Sequence, residues 1–328
     1  MAIRTALTEA FELEYPIVLA PMGPGSSVGG VGGGRLAAAV SNAGGLGLVG
    51  GGYGDPDWMH AQLALVQSET ERPWGIGLIT WYITREVVDL ALRYHPAAVL
   101  LSFGDIRPYA PAIKAAGCTL LCQIQEVEAA REAVAAGADI IVAQGSEAGG
   151  HVGSRATLPL VPAVVDAVAP VPVLAAGGIA DGRGLAAALM VGAHGVMMGT
   201  RFSAASESLT HDRAKARLVA ARAAGTAKTR VVDIVRGYAS WPEPYTGRIL
   251  RNDFFAGWHG REDALVAALD TETPAYQRAY QDGDFDIAAI FVGEVVDLID
   301  AIMPAGELVQ RIGADAEARL RAGPAFLT

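Results

Sequence analysis

The sequence predicts an α/β protein, a (β/α)8 TIM barrel with an additional, mostly helical cap domain. Eight apolar runs of strand length alternate with helical segments within residues 1–205, which is the pattern of consecutive βα units. The runs are continuously apolar, as expected of parallel strands that are covered on both faces. Eight such units favour a closed barrel, and an open doubly wound sheet is the alternative.

The individual elements follow from the positions of the apolar runs and of glycine. The predicted strands are Pro16–Met22, Leu46–Gly50, Trp74–Thr80, Ala97–Phe103, Thr119–Ile124, Ile140–Gln144, Val171–Ala176 and Gly195–Arg201. The predicted helices between them are Arg35–Asn42, Asp57–Ser68, Thr84–Tyr94, Pro108–Ala116, Val127–Ala136, Val161–Val168 and Gly184–Val191. Three of these helices run into an Ala-Gly pair before the next strand, and glycine is the residue that most often ends a helix.

The pattern changes after the eighth strand. Residues 206–285 carry aromatic and charged clusters without clear strands, and we predict a helical cap and substrate domain over the barrel mouth. Residues 286–328 contain further helical stretches, which we expect to return to the barrel wall. The predicted domains are therefore a barrel at 1–205, a cap at 206–285 and C-terminal helices at 286–328.

Composition disfavours several classes of function. The chain has 328 residues, 52% of them hydrophobic, and a net charge of −10, so its field opposes binding to nucleic acid or to anionic membranes. No apolar stretch reaches the ~18 residues of a membrane span, and the first residues lack the apolar region of a secretory signal. Cys118 and Cys122 have no second pair nearby, which argues against a metal site and a disulfide framework. We expect a cytoplasmic protein, and its apolar composition permits a homodimer.

The most informative segment is the run of small residues at 144–153, directly after the sixth predicted strand. In parallel α/β folds, ligands bind at the loops that follow the carboxyl ends of the strands. His151 is the imidazole on this loop, and we predict that it is catalytic, although an isolated histidine is more often structural. Gly149 and Gly150 allow the backbone to approach a ligand closely.

Two further loops indicate a phosphate site. Gly177 and Gly178 follow the seventh predicted strand, and Gly199 and Thr200 end the eighth. In barrels this pair of loops commonly binds a phosphate through backbone N–H groups. The Thr200 hydroxyl can add a donor, whereas the alternative is that both are ordinary strand-ending turns.

Other strand ends offer surfaces for a planar ring. Ala20, Pro21 and Met22 end the first strand, where a flat ring can lie against the backbone. Gln123 and Gln144 end the fifth and sixth strands, and either amide can hydrogen-bond a ring heteroatom or merely fill the barrel mouth. Each of these residues alone is weak evidence for a ring-binding site, and the evidence is stronger when all of them are considered together.

Taken together, the segments resemble the nitronate monooxygenase family, formerly called 2-nitropropane dioxygenases. The resemblance spans roughly residues 10–205 and rests on five strings: Pro16-Ile-Val-Leu-Ala-Pro-Met22, Ala37-Ala-Ala-Val-Ser-Asn-Ala-Gly-Gly-Leu-Gly47, Gly145-Ser-Glu-Ala-Gly-Gly-His151, Ala176-Gly-Gly-Ile-Ala-Asp-Gly182 and Met198-Gly-Thr-Arg-Phe202. It implies an FMN-binding TIM barrel with an additional helical domain, which needs neither nicotinamide nor a metal.

The resemblance also implies roles for individual residues. It implies that FMN contacts Ala20, Pro21, Met22, Gly77, Gln123, Gln144, Gly149, Gly150, Gly177, Gly178, Gly199 and Thr200, with the last four around the phosphate. His151 occupies the position of the family's catalytic histidine, which acts as a base toward a neutral nitroalkane and helps to hold the nitronate beside the flavin. An imidazole suits both tasks.

The chain departs from the family at two positions. Many relatives carry Asn where this chain has Gly77, so that one side-chain contact to FMN is missing or is supplied elsewhere. Several relatives place Lys near the position of Gln123, and replacing a cation with an amide would weaken the stabilisation of an anionic reduced flavin.

The resemblance thus predicts an FMN-dependent nitronate monooxygenase, which oxidises alkyl nitronates or nitroalkanes with O2 to carbonyl compounds and nitrite. One alternative is an NAD(P)H-dependent flavin reductase on the same fold, acting on quinones or enoyl thioesters. Another alternative is a flavin-binding protein without catalytic activity. The sequence does not choose among substrates, because the pocket depends on the cap.

Overall fold

The computed structural model describes residues 3–24 and 30–327. Its strands, in chain order, are β1 Ile17–Leu19, β2 Gly47–Gly52, β3 Trp74–Ile79, β4 Ala98–Ser102, β5 Thr119–Ile124, β6 Ile140–Gln144, β7 Gly150–Val152, β8 Val173–Ala176, β9 Val196–Met198, β10 Thr226–Thr229 and β11 Thr246–Leu250. Eight of them form a parallel sheet in the order β1-β9-β8-β6-β5-β4-β3-β2. Leu46, directly before β2, hydrogen-bonds β1 through the carbonyl of Ile17 and the amide of Leu19, at 2.9 Å each, and so closes the sheet. The predicted (β/α)8 TIM barrel is confirmed.

Helices cover the barrel and continue after it. They are α1 Ala6–Phe11, α2 Gly34–Asn42, α3 Pro56–Glu69, α4 Arg85–Leu92, α5 Ala110–Ala115, α6 Val127–Ala135, α7 Thr157–Val168, α8 Gly182–Met190, α9 Thr200–Ser203, α10 Asp212–Ala220, α11 Val231–Val235, α12 Asp253–Trp258, α13 Glu262–Ala267, α14 Leu269–Gln281 and α15 Ala305–Ala322. The glycines that we predict to end three helices, Gly44, Gly117 and Gly137, all have positive φ angles, of 89°, 76° and 100°. Glycine is needed there because other residues are strained in this conformation.

The barrel core has two layers, because side chains alternate along each strand. Leu48, Leu100 and Leu174 belong to the cluster inside the barrel, and the α1 residues Leu7 and Phe11 are part of the same cluster. The other face of each strand packs against the surrounding helices. Because both faces of each strand pack against apolar side chains, the strands appear in the sequence as uninterrupted apolar runs.

The segment after the barrel is mostly helical, but it also contains β10 and β11, where the sequence shows no clear strands. These two strands are antiparallel, and β11 pairs on its other side with β7 from the loop after β6. Thr226–Thr229 has no alternating apolar pattern and β7 contains glycine, so neither strand is evident before its partner is in place. In the register of this small sheet, Gly247 lies opposite His151. The sheet therefore joins the predicted catalytic loop to the cap.

The last long helix, α15, packs along α8 and α2 on the outside of the barrel. The domain boundaries at residues 205 and 285 stay predictions. Among residues 3–24 and 30–327, no helix is long and apolar enough to cross a membrane.

Candidate active site

A cavity of about 270 Å³ lies at the carboxyl ends of the barrel strands, where the cap meets the barrel. Its lining includes every residue that the sequence analysis assigns to the site: Ala20, Pro21, Met22, Gly77, Gln123, Gln144, Gly149, Gly150, His151, Gly177, Gly178, Gly199 and Thr200. Residues from distant parts of the sequence thus meet around one space, close to the lower end of the ~300–1,000 Å³ that is usual for ligand pockets.

His151 lies on β7 and is held by a carboxylate of the cap. Its Nε2 is 3.0 Å from Oδ2 of Asp233 on α11, and the two side chains are only 9% and 3% exposed. A carboxylate accepts hydrogen bonds, so Nε2 carries a proton, and in the neutral ring Nδ1 carries the lone pair. No hydrogen bond engages Nδ1 within the described ranges. Nδ1 is therefore the nitrogen that can exchange a proton with a bound molecule.

Aromatic side chains surround this imidazole. The ring of Trp241 is stacked on His151 with centroids 3.4 Å apart and an angle of 8° between the planes. Phe103 approaches edge-on at 6.4 Å and has a φ of 63°, which is unusual for a residue other than glycine. Phe291 lies on another side, at 6.1 Å. These contacts fix the imidazole plane and exclude water from much of its surface.

Tyr53 connects the aromatic residues to one another. Its hydroxyl accepts a hydrogen bond of 2.8 Å from Nε1 of Trp241, and its ring is stacked on Tyr238 at 4.0 Å. Burial raises the pKa of the Tyr53 hydroxyl, while the positive charge of Arg236 opposes that shift. Tyr53 is therefore a neutral phenol in this wall, and the charge of Arg236 acts on it.

Another part of the cavity lining has the features of a phosphate site. Gly177 and Gly178 adopt left-handed φ angles of 96° and 72°. The hydroxyl of Thr200 accepts a hydrogen bond of 2.9 Å from the amide of Gly293, so its own proton is left to donate. In the part of the chain that the structure describes, the amides of Gly178 and Thr200 donate to no protein acceptor. These unused donors fit a phosphate group.

Glu147 stabilises this part of the lining without being a candidate proton donor. Its carboxylate accepts hydrogen bonds from the amide, at 3.0 Å, and from the hydroxyl, at 2.9 Å, of Thr157 at the start of α7. The Thr157 hydroxyl also lies 3.0 Å from the carbonyl oxygen of Gly177. The Glu147–Thr157 pair therefore connects the His151 loop to the loop after β8.

Two glycines of the lining lie close to Pro21 and Met22. A Cβ atom on Gly77 would lie 2.1 Å from Cγ of Pro21, so only glycine leaves room for the Pro21 ring. The position that a Cβ of Gly199 would take is 3.4 Å from Sδ of Met22, to which Ser203 donates a hydrogen bond. The absence of the family's Asn at position 77 thus has a physical reason, namely the close approach of strand β3 to Pro21.

The predicted glutamines form one buried cluster. Oε1 of Gln144 accepts hydrogen bonds from Nε2 of Gln123, at 3.2 Å, and from Nε2 of Gln125, at 2.8 Å. This leaves Nε2 of Gln144 and Oε1 of Gln123 without a partner among residues 3–24 and 30–327. One donor and one acceptor at the cavity suit the edge of a heterocyclic ring.

Sequence reasoning placed a substrate domain over the barrel mouth but identified none of the cap residues at this site. Asp233, Arg236 and Trp241 come from residues 233–241, which the sequence analysis assigns to that domain without naming them. A signal was present, because Asp233 interrupts the apolar run Val231–Val235, and a carboxylate in such a run needs a partner when it is buried. The partner could not be identified, since it lies 82 positions earlier in the chain.

Comparisons with known proteins agree with the geometry. A family model described as nitronate monooxygenase matches residues 4–315. The chain is 33% identical, over 100% of both sequences, to (3aS,4S,5R,7aS)-5-hydroxy-7a-methyl-1-oxo-octahydro-1H-indene-4-carboxyl-CoA dehydrogenase of Mycobacterium tuberculosis. Among solved structures, FabK of Thermotoga maritima has a TM-score of 0.87 and 31% identity, covering 99% of this chain and 100% of FabK. A nitroalkane oxidase of Streptomyces ansochromogenes has a TM-score of 0.81 and 30% identity, covering 97% of this chain and 99% of the oxidase.

The predictions of a family and of an enzyme class are confirmed by these matches. The relatives are oxidoreductases, so this chain is an oxidoreductase that acts on a small molecule. A general dependence on flavin accords with the family and with the phosphate and ring surfaces described above. By the match of its sequence over nearly its whole length, the chain belongs to the nitronate monooxygenase family.

Proposed function

We propose that this enzyme is an FMN-dependent nitronate monooxygenase, which oxidises alkyl nitronates and nitroalkanes with O2 to a carbonyl compound and nitrite. The observation that carries the proposal is the buried His151–Asp233 pair at the cavity, with Nδ1 of the imidazole available to a substrate. Such a pair can take a proton from a carbon that is acidified by a nitro group.

The barrel residues would hold FMN at the surfaces described above. Gly177, Gly178, Gly199 and Thr200 would hold the phosphate, and the segment from Ala20 to Met22 would support the ring. The amides of Gln123 and Gln144, together with the backbone at Gly77, Gly149 and Gly150, would border the remaining edge. When bound, FMN supplies the capacity to accept electrons from a nitronate carbon and to transfer them to O2.

The role of His151 in this reaction follows from its hydrogen bonds. Nδ1 accepts the proton from the carbon beside the nitro group, and the C–H electron pair remains on the substrate as the nitronate. The ring becomes an imidazolium, which the Asp233 carboxylate stabilises through Nε2. Trp241, stacked on the ring, prevents it from turning away. A nitronate supplied as such needs no proton removal, so it depends less on this pair.

A second candidate is a flavin-dependent dehydrogenase or reductase of acyl thioesters. It is favoured by the full-length match to a protein named as a carboxyl-CoA dehydrogenase. A carbon beside a thioester carbonyl is also acidic, so the same base can serve both reactions. A flavin-binding protein without catalysis is the remaining alternative, and an organised His–Asp pair argues against it.

Anaerobic visible spectroscopy of the FMN-loaded protein tests the proposal. NADH, propyl-2-nitronate and a saturated acyl-CoA are added to separate samples, and loss of the visible flavin absorbance is recorded. Absorbance loss with the nitronate alone supports the proposal. Loss only with NADH, or only with acyl-CoA, refutes it in favour of a reductase or a dehydrogenase, and a protein that takes up no FMN refutes all of these.

The variant His151→Asn, tested beside wild type, isolates the proposed base. It is expected to retain FMN and to lose turnover of neutral nitroethane far more than turnover of ethylnitronate. Unchanged turnover of nitroethane would remove His151 from the mechanism.

A further inference from the structure

Proton removal by His151 leaves a negative charge on the substrate, and the cavity contains a cation that the sequence analysis did not consider. Arg236 lines the same cavity as His151 and is only 7% exposed. It follows α11 directly and stands three positions after Asp233. One short segment of the cap therefore supplies both a carboxylate for the imidazole and a guanidinium for the cavity.

Arg236 is connected to His151 through aromatic rings on two sides. Its guanidinium carbon lies 5.2 Å from the ring centre of Phe291, and that ring is 6.1 Å from the imidazole. On the other side the same carbon lies 5.5 Å from the ring of Tyr238, which is stacked on Tyr53. The guanidinium is thus held against the same Phe291 ring that lies beside the imidazole.

The charges around the cavity favour an anion beside His151. Among the lining residues in the described ranges, the carboxylate of Glu147 accepts hydrogen bonds from Thr157. The Asp233 carboxylate is directed at His151. The charge of Arg236 acts across the aromatic wall, since it opposes the raised pKa of Tyr53. The anion that forms beside His151 would therefore meet a positive charge on a second side.

We propose that Arg236 binds the two oxygens of the nitronate and so determines the preference of this site for planar oxyanions. The inference rests on the function proposed above. A guanidinium presents paired N–H donors with the spacing of two oxygens on one atom, which a lysine ammonium cannot match. Proton transfer produces an imidazolium at His151 and a nitronate anion. The Asp233 carboxylate then faces the imidazolium and the Arg236 guanidinium faces the nitronate, so that each new charge has a partner of opposite sign.

Equilibrium binding to the FMN-loaded protein tests this without turnover. Acetate and nitrate serve as planar anions and acetamide as the neutral counterpart of acetate, and each is titrated while the flavin spectrum and tryptophan fluorescence are recorded. The variants are Arg236→Met and Arg236→Lys, and the control is Arg278→Met, an exposed arginine on α14 of the same cap. Thermal unfolding and FMN stoichiometry establish that each variant is folded.

We expect Arg236→Met to weaken acetate and nitrate binding by about tenfold or more, which corresponds to loss of a charge-assisted hydrogen bond. Acetamide binding should be unchanged, Arg236→Lys should be intermediate, and Arg278→Met should behave as wild type. Equal weakening of acetate and acetamide would assign Arg236 a packing role and overturn the proposal. Unchanged anion binding, or no anion binding by wild type, would also overturn it.

The two proposals fail in different experiments. If nitronates are not oxidised but acetate binding depends on Arg236, then the function is wrong and the anion site stands. If nitronates are oxidised and the Arg236 variants bind anions normally, then the function stands and the anion is held by other groups. If Arg236→Met does not fold, Arg236→Lys decides the question, because it keeps the charge and removes the paired donors.

Discussion

Replacing Asp233 with Asn tests whether the cap takes part in the chemistry. The side chain keeps its size, and its oxygen can still accept from Nε2 of His151, but the negative charge is lost. Among the described residues, Oδ1 of Asp233 has no hydrogen-bond partner. Nothing in its surroundings therefore dictates which way the introduced amide would turn. If its NH2 group faced the ring, Nε2 would have to accept, and Nδ1 would carry the proton.

The magnitude follows from the single hydrogen bond of 3.0 Å that joins the two residues. A hydrogen bond to a charged group contributes about 1.5–3 kcal/mol and a neutral one about 0.5–1.5 kcal/mol, so the imidazolium loses about 1–2 kcal/mol of stabilisation. Since 1.36 kcal/mol corresponds to a factor of ten in rate, proton removal slows roughly 5- to 30-fold. If the NH2 group of the introduced Asn faced the ring, proton removal would be slower still, because Nδ1 would already carry a proton and could not act as the base.

The assay compares kcat/KM for nitroethane and for ethylnitronate, with oxygen consumption and nitrite as readouts. Asp233→Asn should lower the nitroethane value by that factor and the ethylnitronate value by less than about threefold. Asp263→Asn, an exposed acid in the first turn of α13, is the matched control and should change neither. A nitroethane value within twofold of wild type, or equal losses on both substrates, would refute the assignment.

Three further expectations concern cofactor binding and stability. Thr200→Val should weaken FMN binding by about tenfold or more, because it removes the hydroxyl that accepts from Gly293 and that we propose to donate to the phosphate. Thr200→Ser should retain most of the affinity, and FMN titration by fluorescence measures both variants. Arg248→Met should lower the free energy of unfolding, measured in urea, by about 2 kcal/mol, because Arg248 is buried and pairs at 2.9 Å with half-exposed Glu294. The control Arg85→Met removes an exposed pair with Asp89 and should lower it by less than about 1 kcal/mol. Burial raises the pKa of Cys122 to about 12 from an ordinary 9.0. Between these two pH values only the unfolded thiol ionises, so stability falls there by up to about 1.4 kcal/mol per pH unit as the pH rises. Cys122→Ala should remove that part of the slope, and an unchanged slope would exclude this cause.

The barrel could be predicted from sequence because its signals are local. Each strand is a short apolar run, and each predicted glycine stop has the positive φ that a helix end requires, as at Gly117 and Gly137. Parallel connectivity then brings the strand ends to one face, so Gln123, Gln144 and Gly177 had to meet there once the barrel was right. The positions of barrel residues follow from topology alone.

The individual cap residues of the site could not be predicted, because their positions depend on packing between segments far apart in the chain. β7 and β10 have no strand pattern of their own and exist through pairing with β11. The aromatic residues near Trp241 follow neither a helical nor a strand period, so nothing in the sequence indicated that one indole would lie on His151. The role of Asp233 required knowing which surface of the cap faces the barrel mouth.

The site therefore divides its tasks between two parts of the chain. The surfaces suited to phosphate and ring come from barrel loops, whose positions are fixed by the closed sheet and by close contacts such as that of Gly77 with Pro21. The groups that we propose to act on or beside the substrate, apart from His151, come from residues 233–241 of the cap. β7 pairs directly with β11, with Gly247 opposite His151, so a change in this cap strand would alter the surroundings of His151. On the function proposed above, substitutions within residues 233–241 are expected to change which substrates reach Nδ1 of His151, because Asp233 and Trp241 contact this imidazole directly.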